Sequence, residues 1–301
     1  MADFKEKLLT WGNSFLDIVW LDSNLDSSEN TEFEAVLAVE AFTAIKTDYQ
    51  NAFDKLKEYQ QTTKDWIFGY LSYDLKNDVE RLKSSNYDGL HFPDLYFFQP
   101  QKLVFLKDNI AEFVYLRMVD DEIETDFEEI QNCKFKTEKS EGRIEIQSRI
   151  SKQEYLEKVG AMLEHIHRGD IYEANLCQEF FSENVDLDAF SIYQSLNEIS
   201  TPPFAAFLRL ENINLVSASP ERYLRKKGDQ LLTQPIKGTA RRSADPEEDK
   251  EIALNLERDE SYFVRMNEDD VLARNQSYVD ATRLNSETLT NEIQASGFGT
   301  E

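Results

Sequence analysis

The amino-acid sequence predicts a mixed α and β protein in which antiparallel sheets are flanked by helices. Short apolar runs occur in pairs around polar turns, a pattern typical of β-hairpins. Between these pairs, apolar residues recur at helical spacing behind capping residues, which predicts helices. The 301 residues are 41% apolar and include 20 Phe and 13 Tyr, so the chain can bury a substantial core.

Residues 1–118 are predicted to form a mixed α/β region. The apolar residues at 33–45 predict an early helix, and the run at 66–71 has the length and composition of a strand. Residues 103–116 contain two strand-like runs around a polar turn, so they predict a hairpin.

Residues 119–147 are predicted to be an acidic linker or a solvated excursion. Seven of the ten residues at 120–129 are acidic, and the following stretch stays polar. We therefore place a domain boundary here.

Residues 148–257 are predicted to form a second region. The segment Ser151–Glu154 has the form of a capping box, and the helix that it begins should end at Gly169. A strand is predicted at 171–181 and a further helix at 188–198.

Two hairpins are predicted next, at 204–219 and 223–236. Asp245, followed by a proline and two acids, predicts the start of a helix that continues through Leu256. Residues 258–301 show no strong period and are predicted to be a divergent tail.

Charge and composition exclude several classes of function. The formal charge of -25 repels nucleic acid and anionic membrane surfaces, and no apolar run is long enough to span a bilayer. Cys133 and Cys177 fit neither a metal site nor a disulfide framework. With no secretory signal pattern at the N-terminus, a cytoplasmic location is expected.

Glu221 and Lys237 are the candidate catalytic residues. They lie at the two ends of the predicted hairpin at 223–236, and antiparallel strands of similar length bring such ends together. A lysine at a strand end, before a glycine, can lose hydration and become a nucleophile. A solvated lysine is the alternative. The basic residues nearby are equally compatible with substrate binding and with an ordinary surface; they are Lys226, Lys227, Arg241 and Arg242.

Four blocks resemble the chorismate-utilising enzymes, most closely aminodeoxychorismate synthase component I. They are GDIYEANL at 169–176, PFAAF at 203–207, SASPER at 217–222 and QPIKGT at 234–239. Within this family the anthranilate synthases carry alanine at the position of Lys237. The resemblance covers residues 1–257, and the lysine at position 237 implies folate precursor synthesis.

The resemblance implies a mechanism for these residues. Lys237 would add to C2 of chorismate while Glu221 protonates the departing C4 hydroxyl, after which ammonia enters at C4 and the lysine leaves. Gly238 and Thr239 match a position that contacts substrate. A glutamine amidotransferase would supply the ammonia. Ser23, together with Pro203, Phe204 and Ala205, resembles the tryptophan-binding pocket of the family.

The sequence departs from the family's pattern after residue 256, so the fold is expected to be incomplete at its C-terminus. The family uses Mg²⁺ to hold the substrate carboxylate, but Arg274 stands where a metal-binding glutamate is expected. Glu268, Asp269 and Asp270 are weak candidates for metal ligands, and an acidic surface cluster is the alternative reading.

Two other interpretations stay open. The chain can be a truncated, non-catalytic remnant that keeps an amidotransferase-docking or tryptophan-binding surface. It can also be another chorismate-converting enzyme of the anthranilate or isochorismate synthase type, although Lys237 argues against anthranilate formation.

Overall fold

The computed structural model describes residues 2–24, 31–134, 144–234 and 240–258. Contacts between Cα atoms divide the chain into two units. The first unit comprises Met1–Arg143 and Asn184–Gln234, and the second comprises Ile144–Glu183 and Pro235–Glu301. The sequence-based boundaries assigned the segment 184–234 to a second region, whereas it belongs to the first unit, and its strands at 204–219 are part of the seven-stranded sheet.

Seven helices are found in the described residues. They are α1 (Ala2–Gly12), α2 (Ala52–Thr63), α3 (Lys76–Val79), α4 (Ile123–Asn132), α5 (Lys152–Arg168), α6 (Ala189–Ser200) and α7 (Pro246–Arg258). Short 3-10 turns at Tyr73–Leu75 and Asp120–Glu122 precede α3 and α4. None of these helices is both long and apolar enough to cross a membrane.

Eleven strands are found in the same described residues. They are β1 (Ile18–Asp22), β2 (Ala35–Thr47), β3 (Phe68–Leu71), β4 (Leu95–Lys107), β5 (Ile110–Tyr115), β6 (Gln147–Ser148), β7 (Phe180–Phe181), β8 (Phe204–Leu210), β9 (Ile213–Ser219), β10 (Arg222–Lys227) and β11 (Gln230–Gln234). A seven-stranded antiparallel sheet has the order β3-β4-β2-β1-β8-β9, with β5 also paired to β4. The predicted fold class, antiparallel sheets flanked by helices, is confirmed.

One face of the large sheet packs against α1, α4 and α6. Alternate residues of the central strands point to this face, since successive side chains of a strand point to opposite sides. Trp20 of β1 and Phe207 of β8 are completely buried there, together with Leu8 of α1, Ile130 of α4 and Tyr193 of α6. The opposite face carries a second apolar cluster that includes Val19, Phe98 and Leu208.

The prediction of a helix at 33–45 was wrong, because this segment is the central strand β2. Residues 35–39 are all buried, since β2 pairs with β1 on one side and with β4 on the other and carries an apolar cluster on each face. A strand buried on both faces has a continuous apolar run, which periodicity alone does not distinguish from a buried helix.

The prediction of a solvated linker was wrong for residues 123–132, which form α4. Its acidic residues face solvent or pair with cations, while Ile130 is fully buried against α1 and the sheet. Acidic residues in a first helical turn also interact favourably with the helix dipole. An acidic run therefore belongs here to a packed helix.

The second unit contains α5 and α7 among its described residues. The predicted capping box is confirmed, because Ser151 Oγ accepts from Glu154 N and Glu154 accepts from Ser151 N. Gly169 ends α5 with a φ of 81°, as the sequence predicts. The predicted strand at 171–181 was wrong over most of its length, since only the β7 residues pair, with β6.

Candidate functional site

Glu221 lies in the tight connection between β9 and β10, at the start of the β10–β11 hairpin. Its side chain is exposed. The hydroxyl of Ser219 holds the connection, because Oγ donates to the Glu221 carbonyl at 3.0 Å and accepts from the Glu221 amide at 3.3 Å. Ser219 thus holds the backbone of the candidate acid in place, a contact that the SASPER block alone does not predict.

The predicted hairpin that carries Glu221 is confirmed. Arg222 of β10 pairs with Gln234 of β11, and the strands stay in register towards Lys227 and Gln230 apart from one bulge. Glu221 therefore directly precedes the first pair of the hairpin, and Lys237 follows Gln234 by three residues in the sequence. Lys237, Gly238 and Thr239 lie outside the described residues, so their predicted roles stay predictions.

Side-chain contacts connect this hairpin to the large sheet. The guanidinium of Arg222 lies 4.7 Å from the centre of the Phe204 ring on β8, and its Nε donates to Gln234 Oε1 at 2.9 Å. Arg225 forms an ion pair with Glu32 at 3.1 Å, and a hydrogen bond from Arg225 lowers the pKa of Glu32. These contacts fix where β10 begins relative to β8.

The residues predicted for a tryptophan pocket meet at the ends of β1 and β8. Asp22 pairs with Ala205 in the antiparallel register, so Ser23 and Phe204 lie at the next position outward. The backbone of this corner is tightly held, since both the amide and the hydroxyl of Ser23 donate to the Glu34 carbonyl. The structure thus brings Ser23 to the strand end that carries Pro203, Phe204 and Ala205, although the binding of tryptophan itself stays a prediction.

Asn24 reinforces this corner from the other side. Its side-chain amide donates to Asn197 Oδ1 at 2.8 Å and to the Pro202 carbonyl at 2.7 Å, and Asn197 donates back to Asn24 Oδ1 at 3.1 Å. Asn24 adopts a φ of 49°, a left-handed conformation that asparagine tolerates better than most residues. Sequence reasoning missed Asn24 and Asn197, because their pairing across 173 residues has no local signal.

A buried polar cluster lies directly beneath this corner and was also missed. Asp22 is only 5% exposed. Its Oδ1 accepts from Lys5 Nζ at 2.6 Å and from the backbone amide of Asn24 at 2.7 Å. The indole of Trp20 and the phenol of Tyr193 are buried nearby. The alternation Ile18, Trp20, Asp22 in β1 was the signal that could have placed Asp22 on the helix-covered face.

Three of the four basic residues named from the sequence have acidic partners. Arg241 contacts Glu248 at 2.7 Å, and Arg242 forms a bidentate pair with Asp249 in the first turn of α7. Lys227 lies 3.6 Å from Glu32. These ion pairs are enough to explain the positions of the three cations. Lys227, Arg241 and Arg242 are therefore weak candidates for substrate binding.

Within 2–24, 31–134, 144–234 and 240–258, no group of three or more His, Cys, Asp or Glu side chains could hold a metal ion. Glu268, Asp269 and Asp270 lie outside these ranges. The candidate Mg²⁺ ligands therefore stay predictions.

Comparisons with known proteins agree with this architecture. Residues 18–260 match the family model described as chorismate binding enzyme. Anthranilate synthase component 1 from Thermus thermophilus is 34% identical over 207 residues, which cover 64% of this chain and 44% of that protein. Aminodeoxychorismate synthase component 1 from Escherichia coli is 39% identical over 110 residues, which cover 36% of this chain and 24% of that protein.

A solved structure shows the same fold. The crystal structure of anthranilate synthase component I from Streptococcus pneumoniae superposes with a TM-score of 0.60 at 18% identity, and covers 85% of this chain and 62% of that chain. The matched part of this chain spans less than half the length of the two curated relatives. Since the family model matches well over half of its residues, this protein belongs to the chorismate binding enzyme family.

Proposed function

We propose that this protein acts as an aminodeoxychorismate synthase component I, which converts chorismate and ammonia to 4-amino-4-deoxychorismate for para-aminobenzoate and folate synthesis. Three findings support the proposal. The chain belongs to the chorismate binding enzyme family, it is 39% identical over 110 residues to a protein of that name, and it carries Lys237 in the QPIKGT block. The lysine separates this reading from anthranilate formation.

The observation that carries the proposal is the register of the β10–β11 hairpin. Arg222 pairs with Gln234, so Glu221 and the residues after Gln234 leave the hairpin from the same end. Neighbouring antiparallel strands lie about 5 Å apart, so this register is compatible with the pairing of Glu221 and Lys237 that the resemblance implies.

The proposed chemistry gives the two residues opposite protonation states. The neutral amine of Lys237 forms a bond to C2 of chorismate as the ring double bonds shift and the C4–O bond breaks. Glu221 donates its proton to the departing oxygen, which leaves as water. Ammonia then bonds to C4, the double bonds shift back, and the amine of Lys237 leaves from C2.

Two further components belong to the proposal. The Escherichia coli relative is named component 1, which supports the presence of a second subunit in the proposed enzyme. A glutamine amidotransferase is the partner that would deliver ammonia. Mg²⁺ would be required to hold the carboxylate of chorismate against the strongly negative charge of this chain. Externally added ammonium salt replaces the partner in an assay.

The test is product analysis with the 301-residue chain, chorismate, Mg²⁺ and ammonium salt. Chromatography with mass detection should find 4-amino-4-deoxychorismate. Lys237→Ala should abolish its formation, and Glu221→Gln should slow it by roughly 100-fold or more, since a general acid typically contributes that factor. Lys226→Ala, an exposed lysine of the same hairpin, is the matched control and should retain the wild-type rate.

Other products would identify the rival functions. Anthranilate as the product would favour an anthranilate synthase. The 34% identity over 207 residues to an anthranilate synthase component 1 supports that candidate. Isochorismate as the product would indicate an isochorismate synthase. A folded wild-type protein that binds chorismate or an amidotransferase but gives no product would favour the non-catalytic remnant.

A further inference from the structure

The β10–β11 hairpin is not joined to the seven-stranded sheet by a backbone ladder. Within the described residues, β10 and β11 pair only with each other, and such a two-stranded ribbon is marginally stable on its own. A bulge between Arg222 and Arg225 also separates the pair of Arg222 with Gln234 from the pairs nearer the turn. The position of this open end of the hairpin, which Glu221 directly precedes, therefore depends on side-chain contacts.

Arg222 makes two contacts at the open end. Its Nε donates to Gln234 Oε1 at 2.9 Å across the hairpin, and its guanidinium lies 4.7 Å from the centre of the Phe204 ring on β8. The side chain is half-buried. A guanidinium over an aromatic face is attracted by the ring quadrupole, more strongly where water is excluded. One side chain thus closes the open end and ties it to the large sheet.

The contacts around Glu221 form a closed loop. Phe204 pairs with Ser219, the last residue of β9, and Ser219 Oγ bonds to both backbone groups of Glu221. Arg222, the next residue, then returns to the Phe204 ring. The chain therefore leaves the sheet opposite Phe204 and comes back to the same residue. The candidate acid lies between these two attachment points, so displacing it breaks at least one of them.

A second attachment holds the hairpin beyond the bulge. Arg225 lies 3.1 Å and Lys227 3.6 Å from the carboxylate of Glu32, whose side chain is 46% exposed. Ion pairs at this exposure contribute little to stability. They also lie on the turn side of the bulge, away from Glu221. Arg225 therefore offers a matched comparison, since it is an arginine of the same strand with a different attachment.

We propose that Arg222 is a positioning residue that anchors the open end of the β10–β11 hairpin on Phe204 and so holds Glu221 in place. The inference rests on the proposed function, in which Glu221 is the general acid. Such an acid must lie within hydrogen-bond reach of the oxygen that it protonates, and small displacements lower the rate strongly. Arg222 acts through Glu221, so its loss should change kcat more than KM.

Chemical rescue tests this role. Arg222→Ala removes a fragment that ethylguanidinium matches in size and charge. We expect the variant to lose about 10- to 100-fold in kcat for chorismate amination, with KM changed by less than about 3-fold. Ethylguanidinium chloride should restore kcat saturably, whereas tetramethylammonium chloride at equal ionic strength should not, because it has no N–H donor. The wild type should respond to neither salt.

Three further variants make the test specific. Arg225→Ala should keep kcat within about 3-fold of the wild type and should show no rescue, because only the exposed attachment to Glu32 is lost. Arg222→Lys should recover part of kcat, since it keeps the charge without the planar guanidinium. The kcat losses of Phe204→Leu and Arg222→Ala should not multiply in the double variant, because both break one contact. Equal kcat losses in Arg222→Ala and Arg225→Ala, without rescue, would overturn the proposal.

Hydrogen exchange of backbone amides tests the anchor without any activity. Arg222→Ala should speed exchange at the open end of the hairpin by roughly 10-fold, and ethylguanidinium should slow it again. Exchange in α4 should stay unchanged, which shows that the variant is folded. Unaltered exchange at the open end would overturn the proposal. If the wild type forms no product from chorismate, the proposed function fails, and the exchange pattern alone decides whether Arg222 is the anchor.

Discussion

Lys102 Nζ on β4 lies 2.7 Å from Asp126 Oδ2 on α4, and both side chains are almost excluded from solvent at 5% and 9% exposure. The same ammonium lies 2.6 Å from Glu122, and the Tyr115 hydroxyl donates to Asp126 at 3.0 Å. This ionic cluster fastens α4 to the large sheet. It also explains why a strongly acidic segment is part of the packed structure.

Lys102→Met should therefore lower the free energy of unfolding by about 3 kcal/mol or more, because it leaves Asp126 buried without a counter-ion. Lys46→Met is the matched control. Lys46 pairs with Glu211 at the surface with 44% exposure, so its loss should cost about 1 kcal/mol or less. Urea denaturation measures both values, and equal effects of the two variants would contradict a buried role for Lys102.

Lys102, together with Tyr115 beside it and Tyr70 on β3, predicts that the protein loses stability at alkaline pH. Burial lowers the pKa of Lys102, but hydrogen bonds and charge interactions with Asp126 and Glu122 outweigh it and leave the pKa above its ordinary value. Burial, followed by the charge of Asp126, raises the pKa of Tyr115, and burial with Asp94 raises the pKa of Tyr70 to about 12.

A group whose pKa is raised by folding contributes stability that is fully present below its unfolded pKa and is lost as pH rises through its folded pKa. These lysine and tyrosine contributions have the same sign. The free energy of unfolding should thus fall as pH rises above about 10, where unfolded tyrosine and lysine titrate. Urea denaturation between about pH 8 and pH 11 measures the decline, and Tyr115→Phe should make it shallower. A flat profile over this range would refute the assignment.

The elements that sequence reasoning placed correctly have local signals. The capping box at Ser151 and the glycine at 169 mark both ends of α5 within a few residues of the helix itself. The β8–β9 hairpin is equally local, since its strands pair across a two-residue turn. Such signals do not depend on any distant part of the chain.

The elements that sequence reasoning misplaced depend on distant partners. β2 is a strand because β1 and β4 pair with its two sides, and α4 is ordered because Lys102 and α1 lie beneath it. The candidate site divides in the same way. The β10–β11 hairpin, which begins just after Glu221 and ends at Gln234, was predictable from the strand lengths. The contact of Lys5 with Asp22 was not predictable, because it requires α1 to lie over β1.

Asp78 stabilises the start of α2 from outside that helix. Its carboxylate accepts from the amides of Asn51, Ala52 and Phe53 at 2.7, 2.8 and 3.4 Å, while Asn51 at the N-cap makes no side-chain capping bond. Asp78→Asn should lower the free energy of unfolding by about 1–2 kcal/mol, because the helix loses a charged cap. Asp74→Asn, which breaks an exposed pair with Lys76, should cost about 1 kcal/mol or less. A larger loss for Asp74→Asn would contradict the capping role.

Ser219 offers a test of the candidate acid that leaves Glu221 itself intact. Its hydroxyl bonds to both backbone groups of Glu221, so Ser219→Ala should misplace the carboxyl and lower kcat of the proposed amination by about 10-fold, with a smaller change in KM. Ser219→Thr keeps the hydroxyl and should restore most of kcat. Ser217→Ala on the same strand is the matched control. Equal kcat for Ser219→Ala and Ser217→Ala would remove Ser219 from a positioning role.

Two glycines should respond in opposite ways to the same substitution. Gly69 lies in β3, where an added Cβ would be 1.9 Å from the Tyr96 carbonyl oxygen and 2.7 Å from Phe97 Cα, both backbone atoms of β4. The clash can be relieved only by moving β3 away from β4, so Gly69→Ala should lower the free energy of unfolding by roughly 2–4 kcal/mol.

Gly160 lies in the exposed middle of α5, where nothing is within 4 Å of an added Cβ. Gly160→Ala should therefore raise the free energy of unfolding by about 0.5–1 kcal/mol through helix propensity alone. Because the two variants differ from the wild type by the same methyl group, a loss of stability in Gly160→Ala as large as that in Gly69→Ala would show that the close approach of β3 to β4 is not what makes Gly69 necessary.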